Sequence, residues 1–278
     1  MKNIINSIIL FCGLITMFSG CKPDVITLGA TLDKSALKFT ATPDPANPNN
    51  IILTSLTPNV TPYWVTPSGS SIRVVDTVNF PFPGTDTIRY AVESAGGLVY
   101  ADPVVVTINS IDAKTVSDSM WIKLAGGLGK SKTWRLDVNA IGASKYFNGP
   151  TYFAGANFSW EWDAGWANWI IDAGDYGTMT FDLIGKPNFT SNNLMFPALS
   201  GTGTFMLYTK ANTLSTFGAE ILHDKNPNNG TQGANVSNWR TNMVIKSLTN
   251  DHMQLVAVRN DGVWLIYNYI SLDYYNTH

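Results

Sequence analysis

Short runs in which apolar and polar residues alternate, broken every few positions by Gly, Pro or Asn, set the narrowest limit on how this chain can fold. The clearest run is Asp86 to Glu93, where Ile88, Tyr90 and Val92 alternate with Thr87, Arg89 and Ala91. A period of two puts successive side chains on opposite faces of a strand. The turn Ala95-Gly96-Gly97 and the run Leu98 to Ile108 complete a hairpin with one wet face. No fixed-period repeat is visible. With 45% hydrophobic residues, 23 Gly and many Thr, Asn and Ser, the composition is that of a folded, strand-rich extracellular protein. The predicted class is all-β.

Two units follow from the spacing. Over residues 29–110, Leu37, Phe39 and Ala41 alternate before the turn cluster Pro43 to Pro48, and Ile51 to Leu53, Tyr63 to Val65 and Ile72 to Val78 are further strand candidates. Many short strands with Pro, Gly and Asn turns predict a β-sandwich of immunoglobulin type. Residues 111–120, IDAKTVSDSM, are polar with neither periodicity strong and are assigned as a linker. Residues 121–278 form the second unit, with strands predicted at Thr133 to Val138, Ser159 to Asp163, Tyr176 to Leu183, Thr204 to Thr209, Gly218 to Leu222, Met243 to Ser247, Met253 to Arg259 and Val263 to Ile270. Eight strands of this kind suggest a larger, jelly-roll-like sandwich. The last has apolar residues on both faces and is expected to be central.

The second unit contains the stretch Asn157 to Tyr176, NFSWEWDAGWANWIIDAGDY, with four of the nine tryptophans between Trp160 and Trp169. Phe158, Trp160 and Trp162 alternate with Ser159, Glu161 and Asp163, so one strand face is aromatic, and such faces usually pack inward. After Ala164-Gly165 the period breaks, and Trp166, Asn168, Trp169 and Asp172 lie in a loop. The alternative to core is a sugar platform. The C–H face of a pyranose is apolar and stacks on an indole, while Glu161, Asp163, Asn168 and Asp172 hydrogen-bond its hydroxyls. Tyr152 with Phe153 after Pro150, and Trp239 after the Asn-rich loop Lys225 to Asn238, are further exposed aromatic candidates.

Residues 1–20 have the form of an export signal: Lys2, then the apolar run Ile4 to Phe18, then small residues. Phe18-Ser19-Gly20-Cys21 resembles a bacterial lipobox, which implies cleavage before Cys21 and lipidation there, with 21–28 as an anchor linker. The resemblance implies that Cys12 leaves with the leader and that Cys21 is acylated, which would leave the mature chain no thiol for a disulfide, a catalyst or a metal site. Lys22-Pro23-Asp24 loosely resembles the charged signal that sends Bacteroidetes lipoproteins to the cell surface.

Two longer resemblances follow. Tyr63-Trp64 before Pro67-Ser68-Gly69, and Phe82-Pro83-Gly84-Thr85-Asp86-Thr87-Ile88, resemble the PKD-like immunoglobulin-type module, which implies a spacer. In the second unit the motifs are Trp121 with Leu124-Ala125-Gly126-Gly127, Lys132 to Asp137, Asn148-Gly149-Pro150, Trp166 with Trp169, and Tyr176 to Asp182. Together they resemble the carbohydrate-binding half of PKD-containing surface glycan-binding lipoproteins from Bacteroidetes glycan-utilisation loci. That resemblance implies an outer-membrane, lipid-anchored protein at the cell surface that captures a polysaccharide or oligosaccharide, β-glucan-like or similar, for a TonB-dependent importer.

Other chemistries find less support. Glu161 and Asp163 are about 6 to 7 Å apart along a strand, which suits paired-carboxylate glycoside hydrolysis, and they resemble the Glu-x-Asp-x-Glu core of laminarinase-like glycosidases. Gly165 stands where the third acid belongs, so a glycosidase remains the alternative and binding without catalysis the expectation. A structural or adhesion lipoprotein is the third class. Gly126 to Ser131 ends like a phosphate-binding loop but has Leu124 at the first glycine and a strand after it. No cofactor is expected; Asp172 and Asp175 with backbone carbonyls offer only a weak calcium pattern, and His223, His252 and His278 are scattered. Charged residues make up 14% and net charge is −2, with no basic stripe for nucleic acid.

Overall fold

The structure is a computed structural model and describes residues 29–138, 141–142, 144–162, 165–226 and 230–278. The leader, Cys21, the anchor linker and Asp163 lie outside these residues. Among the described residues no helix is long and apolar enough to cross a membrane.

The chain is all-β with a few short helices, as the alternation predicts. In the first unit β1 (Phe39–Asp44), β2 (Asn47–Ser55) and β5 (Val75–Asn79) form one sheet. A second sheet holds β3 (Thr61–Thr66), β4 (Gly69–Ser71), β6 (Gly84–Ser94), β7 (Gly97–Tyr100) and β8 (Val104–Ile108). The predicted run Leu98 to Ile108 is two strands that pair in turn with the same edge of β6, split around Asp102-Pro103. Proline has no N–H to give the ladder, so the break falls there. Ile51, Leu53, Trp64, Ile88, Tyr90 and Val92 meet as the core of this unit.

The segment assigned as a linker is structured. It holds α1 (Ala113–Val116) and the start of α2 (Ser119–Ala125). The Asp112 carboxylate caps α1 through the Thr115 N–H at 3.1 Å and accepts from Asn47 and Asn79 of the first unit, each at 2.9 Å. Burial pushes this carboxyl up, and the bonds from Asn47, Thr115 and Asn79 more than reverse that, leaving it at about 2. Val116, Trp121 and Leu124 are buried. The helices are too short to register as a 3.6-residue period, which is why they read as polar linker.

The second unit closes on itself. Strands β9 (Ser131–Leu136), β12 (Gly177–Asp182), β13 (Asn188–Asn193), β14 (Gly201–Tyr208), β15 (Thr213–Phe217), β16 (Met243–Leu248), β17 (His252–Val258) and β18 (Trp264–Ser271) pair antiparallel in that order. β18 then pairs with β9 through Tyr269 opposite Leu136 and Ser271 opposite Trp134. The result is an eight-stranded up-and-down barrel in which each strand pairs with the next of the series. This order lacks the crossings of the expected jelly-roll arrangement, because short turns favour pairing with the adjacent strand. Closure leaves those eight strands without a free edge.

Trp134, Phe181, Phe189, Phe205, Leu255 and Tyr267 fill the barrel interior, and α2 inserts Trp121 against Phe205 with ring centroids 5.6 Å apart. β18 is covered on both faces, as its sequence predicts. Two long connections interrupt the meander. One, between β9 and β12, carries β10 (Thr151–Ala154), β11 (Glu161–Trp162) and the indole-rich stretch. The other spans 218–242 between β15 and β16; the predicted strand Gly218 to Leu222 falls here and is not a strand.

An open aromatic shelf as the candidate functional site

β10 pairs with the first half of β18, placing Phe153 opposite Leu265, and β11 pairs with β10, placing Trp162 opposite Phe153. Leu265 is an interior barrel residue, so Phe153 and Trp162 continue the inner face of the sheet beyond the closed barrel. Phe153 and Trp162 stack at 5.7 Å with 11° between planes. Trp169 completes a triangle, 5.6 Å from Phe153 and 5.7 Å from Trp162, with planes within 29°. The three rings are therefore shingled: Phe153 is buried, and the two indoles each keep open surface.

All four indoles of the stretch are open to water: Trp160 is 49% exposed, Trp162 47%, Trp166 41% and Trp169 46%. The expectation that Trp160 and Trp162 pack into the core is overturned. β11 is only two residues long, so the aromatic face of the sequence pattern is not a continuous strand face. The openness is built in. A Cβ at Gly142, whose φ is +89°, would lie 2.3 Å from the Trp166 ring, and one at Gly155 would lie 2.5 Å from the Trp160 Nε1. Trp160 and Trp166 thus rest on bare glycine backbone. Ile170 and Ile171, both buried, anchor the end of the stretch, and the Ile170 carbonyl accepts from the Gln232 N–H at 3.1 Å in the second long connection.

Polar groups around the rings are mostly committed to one another. Lys246 donates to Glu161 at 2.5 Å and to the Tyr152 hydroxyl at 2.6 Å. The Lys246 hydrogen bond holds the Glu161 carboxyl below the usual range, so Glu161 is a charged acceptor; a proton-donating glycosidase acid needs the opposite shift. Arg259 lies 5.6 Å from the Phe153 ring and pairs with Asp261 at 2.5 Å. Asn168 is exposed beside Trp169. Asp172 accepts from the Asn226 amide at 2.7 Å.

Three aromatic candidates are not open: Phe153, the buried ring beneath the indoles, and Tyr152 and Trp239. Tyr152 is buried at 6% exposure, with its ring in a small apolar cluster with Ala154, Val256 and Ile266 on the outside of the barrel. It lies opposite the buried Ile266 of β18, and its hydroxyl meets Glu161 and Lys246, so it supports the shelf from behind. Trp239 is 1% exposed and stacks on His223 at 3.8 Å with 4° between planes, while Tyr267 meets its ring edge-on at 5.2 Å. It is core because the 218–242 connection folds over the barrel. That connection also buries Asp224, which accepts from the Tyr267 hydroxyl; burial pushes the Asp224 carboxyl up. Asp175 accepts from Arg135 at 3.0 Å and from the Gly177 N–H at 2.9 Å, so the calcium pattern is spent on protein donors at that position. Among the described residues no group of three or more His, Cys, Asp or Glu side chains is gathered as metal ligands.

Sequence reasoning did not single out Arg259 or Lys246. Lys246 comes from β16 and Arg259 from just past the end of β17, and the pairing of β10 with β18 brings the shelf to them. A concave groove lies elsewhere, lined by Leu56, Pro58, Val60, Val74 and Glu93 of the first unit. It has no aromatic lining, and the indoles sit on open surface instead. No family model matches the chain, and no curated protein is similar to it.

Proposed function

We propose that this protein is a non-catalytic polysaccharide-binding lipoprotein whose indoles at Trp162 and Trp169, with Trp160 and Trp166 beside them, stack on sugar rings. The observation that carries the proposal is that all four indoles of a ten-residue stretch stand roughly half open, two of them on glycine backbone. Soluble proteins rarely leave contiguous apolar surface wet without a partner for it, and Trp162 with Trp169 forms such a patch. Sugar faces suit it, since each offers an apolar C–H plane to the ring and hydroxyls to the exposed Asn168 and the nearby carboxylates.

Trp162 and Trp169 are neighbours with planes 29° apart, while Trp160 and Trp166 stand apart from them on their own glycines. A stacked pair with two further open indoles in the same stretch suits a chain of several sugar rings, of β-glucan-like form or similar, better than a single monosaccharide. Single-site affinity in the micromolar to millimolar range, about −8 to −4 kcal/mol, is expected. The export signal and Cys21 motif extend the proposal to a lipid-anchored outer-membrane protein at the cell surface that passes glycan to a TonB-dependent importer. In native affinity gels containing a panel of polysaccharides, at least one polymer is expected to retard the soluble mature protein; migration unchanged by every polymer would overturn the proposal.

A further inference from the structure

We infer that the shelf selects uncharged glycans and rejects polyanionic ones such as uronate-rich chains; this rests on the glycan-binding proposal and adds the ligand's charge to it. The stretch Asn157 to Tyr176 carries Glu161, Asp163, Asp172 and Asp175 and no Lys or Arg. Among the described residues Lys246 and Arg135 reach carboxylates of the stretch and Arg259 reaches the Phe153 ring beneath the indoles, and each is already held by a carboxylate. Lys246 is 2.5 Å from Glu161, Arg135 is 3.0 Å from Asp175, and Arg259 is 2.5 Å from Asp261.

The consequence is electrostatic. A carboxylate on a sugar bound to the indoles would need a cation partner, and binding it would mean breaking one of these pairs and leaving a protein carboxylate behind. A Glu161 or Asp175 carboxylate stripped of its cation would repel the incoming carboxylate as well, over a Debye length that reaches about 10 Å at 0.1 M salt. A hydroxyl meets no such penalty, because carboxylates and Asn168 accept from it directly. Apolar rings supply attraction without regard to charge, so the carboxylates determine which polymers are refused.

A matched pair of soluble polymers on one backbone tests this: hydroxyethyl cellulose, which is neutral, and carboxymethyl cellulose, which is anionic. Titration calorimetry with the mature protein at about 20 mM and 500 mM NaCl is expected to show binding of the neutral polymer at both, weaker binding of the anionic one by about tenfold or more at low salt, and a narrowed gap at high salt. Asn168→Lys, which adds a cation on the exposed loop, is expected to narrow the gap at low salt. Equal or tighter binding of the anionic polymer at low salt would overturn charge selection while leaving glycan binding intact. If neither this pair nor any neutral or anionic polymer in a broader panel binds, the glycan proposal itself falls, and charge selection with it.

Discussion

Trp239 and the pair Trp162 and Trp169 are the same residue type in one unit, yet the first is sealed and the other two are half open. Trp239 has His223 flat against one face and the Tyr267 ring on its edge, so its indole is a packing element. Trp162 and Trp169 stack on Phe153 and on each other, and each keeps nearly half of its surface open. The contrast separates an indole used to fill volume from one used to present area. Trp64, Trp121 and Trp134 belong with Trp239; all three are fully buried. Open indoles at this density occur in one stretch, which points to local use.

Substitution should sort the two groups in opposite directions. Trp239→Ala opens a cavity in a packed core and is expected to destabilise by about 3–5 kcal/mol in denaturant unfolding. Trp162→Ala with Trp169→Ala is expected to cost binding about 2 kcal/mol or more, with retardation in the affinity gel lost and the melting temperature nearly unchanged. A large fall in melting temperature for the double variant, or none for Trp239→Ala, would dissolve the comparison.

Much of this contrast was out of reach of the sequence. The alternation placed β6, β12, β16, β17 and β18 correctly to within a few residues, because each buries one apolar face or both. It missed β13, NFTSNN, whose inward positions after Phe189 are Ser191 and Asn193. Asn193 is satisfied there by donating to the His223 carbonyl at 2.7 Å, a partner 30 residues away. Barrel closure was equally invisible, since it depends on three residue pairs between the first and last strands of the series. The clustering of indoles was legible; their exposure was not, because it turns on glycines at 142 and 155 that are distant in pattern from the rings they seat. Tyr152 and Trp239 look alike in sequence to the shelf residues, and only the pairing of β10 and the fold of the 218–242 connection bury them.

Smaller effects sharpen the same comparison. Asp112→Ala removes a cap and the acceptor for Asn47 and Asn79, and is expected to cost about 1–3 kcal/mol. The Asp112 carboxyl is depressed from 3.8 to about 2, so its contribution is complete above pH 4 and is lost as pH falls through 2. Wild-type stability should therefore drop over that window more steeply than that of Asp112→Asn, as followed by circular dichroism. Gly142→Ala forces a Cβ into the Trp166 ring at a positive φ and is expected to cost about 1–2 kcal/mol and to shift tryptophan emission. Lys246→Met breaks a partly exposed ion pair with Glu161 and is expected to change stability by less than about 1 kcal/mol. Glu161→Gln should leave no polysaccharide-cleaving activity to lose; reducing-sugar release by the wild type that vanishes in this variant would turn the shelf into a glycosidase subsite.

The central claim is that the open indoles themselves meet the ligand. Acrylamide quenching of tryptophan fluorescence, measured with and without a saturating neutral polysaccharide, tests it most directly. The account predicts that bound glycan shields the wild-type protein from quencher and that the Trp162→Ala, Trp169→Ala double variant loses both the binding and the shielding. Glycan binding that leaves quenching unchanged, or undiminished binding by the double variant, would contradict it.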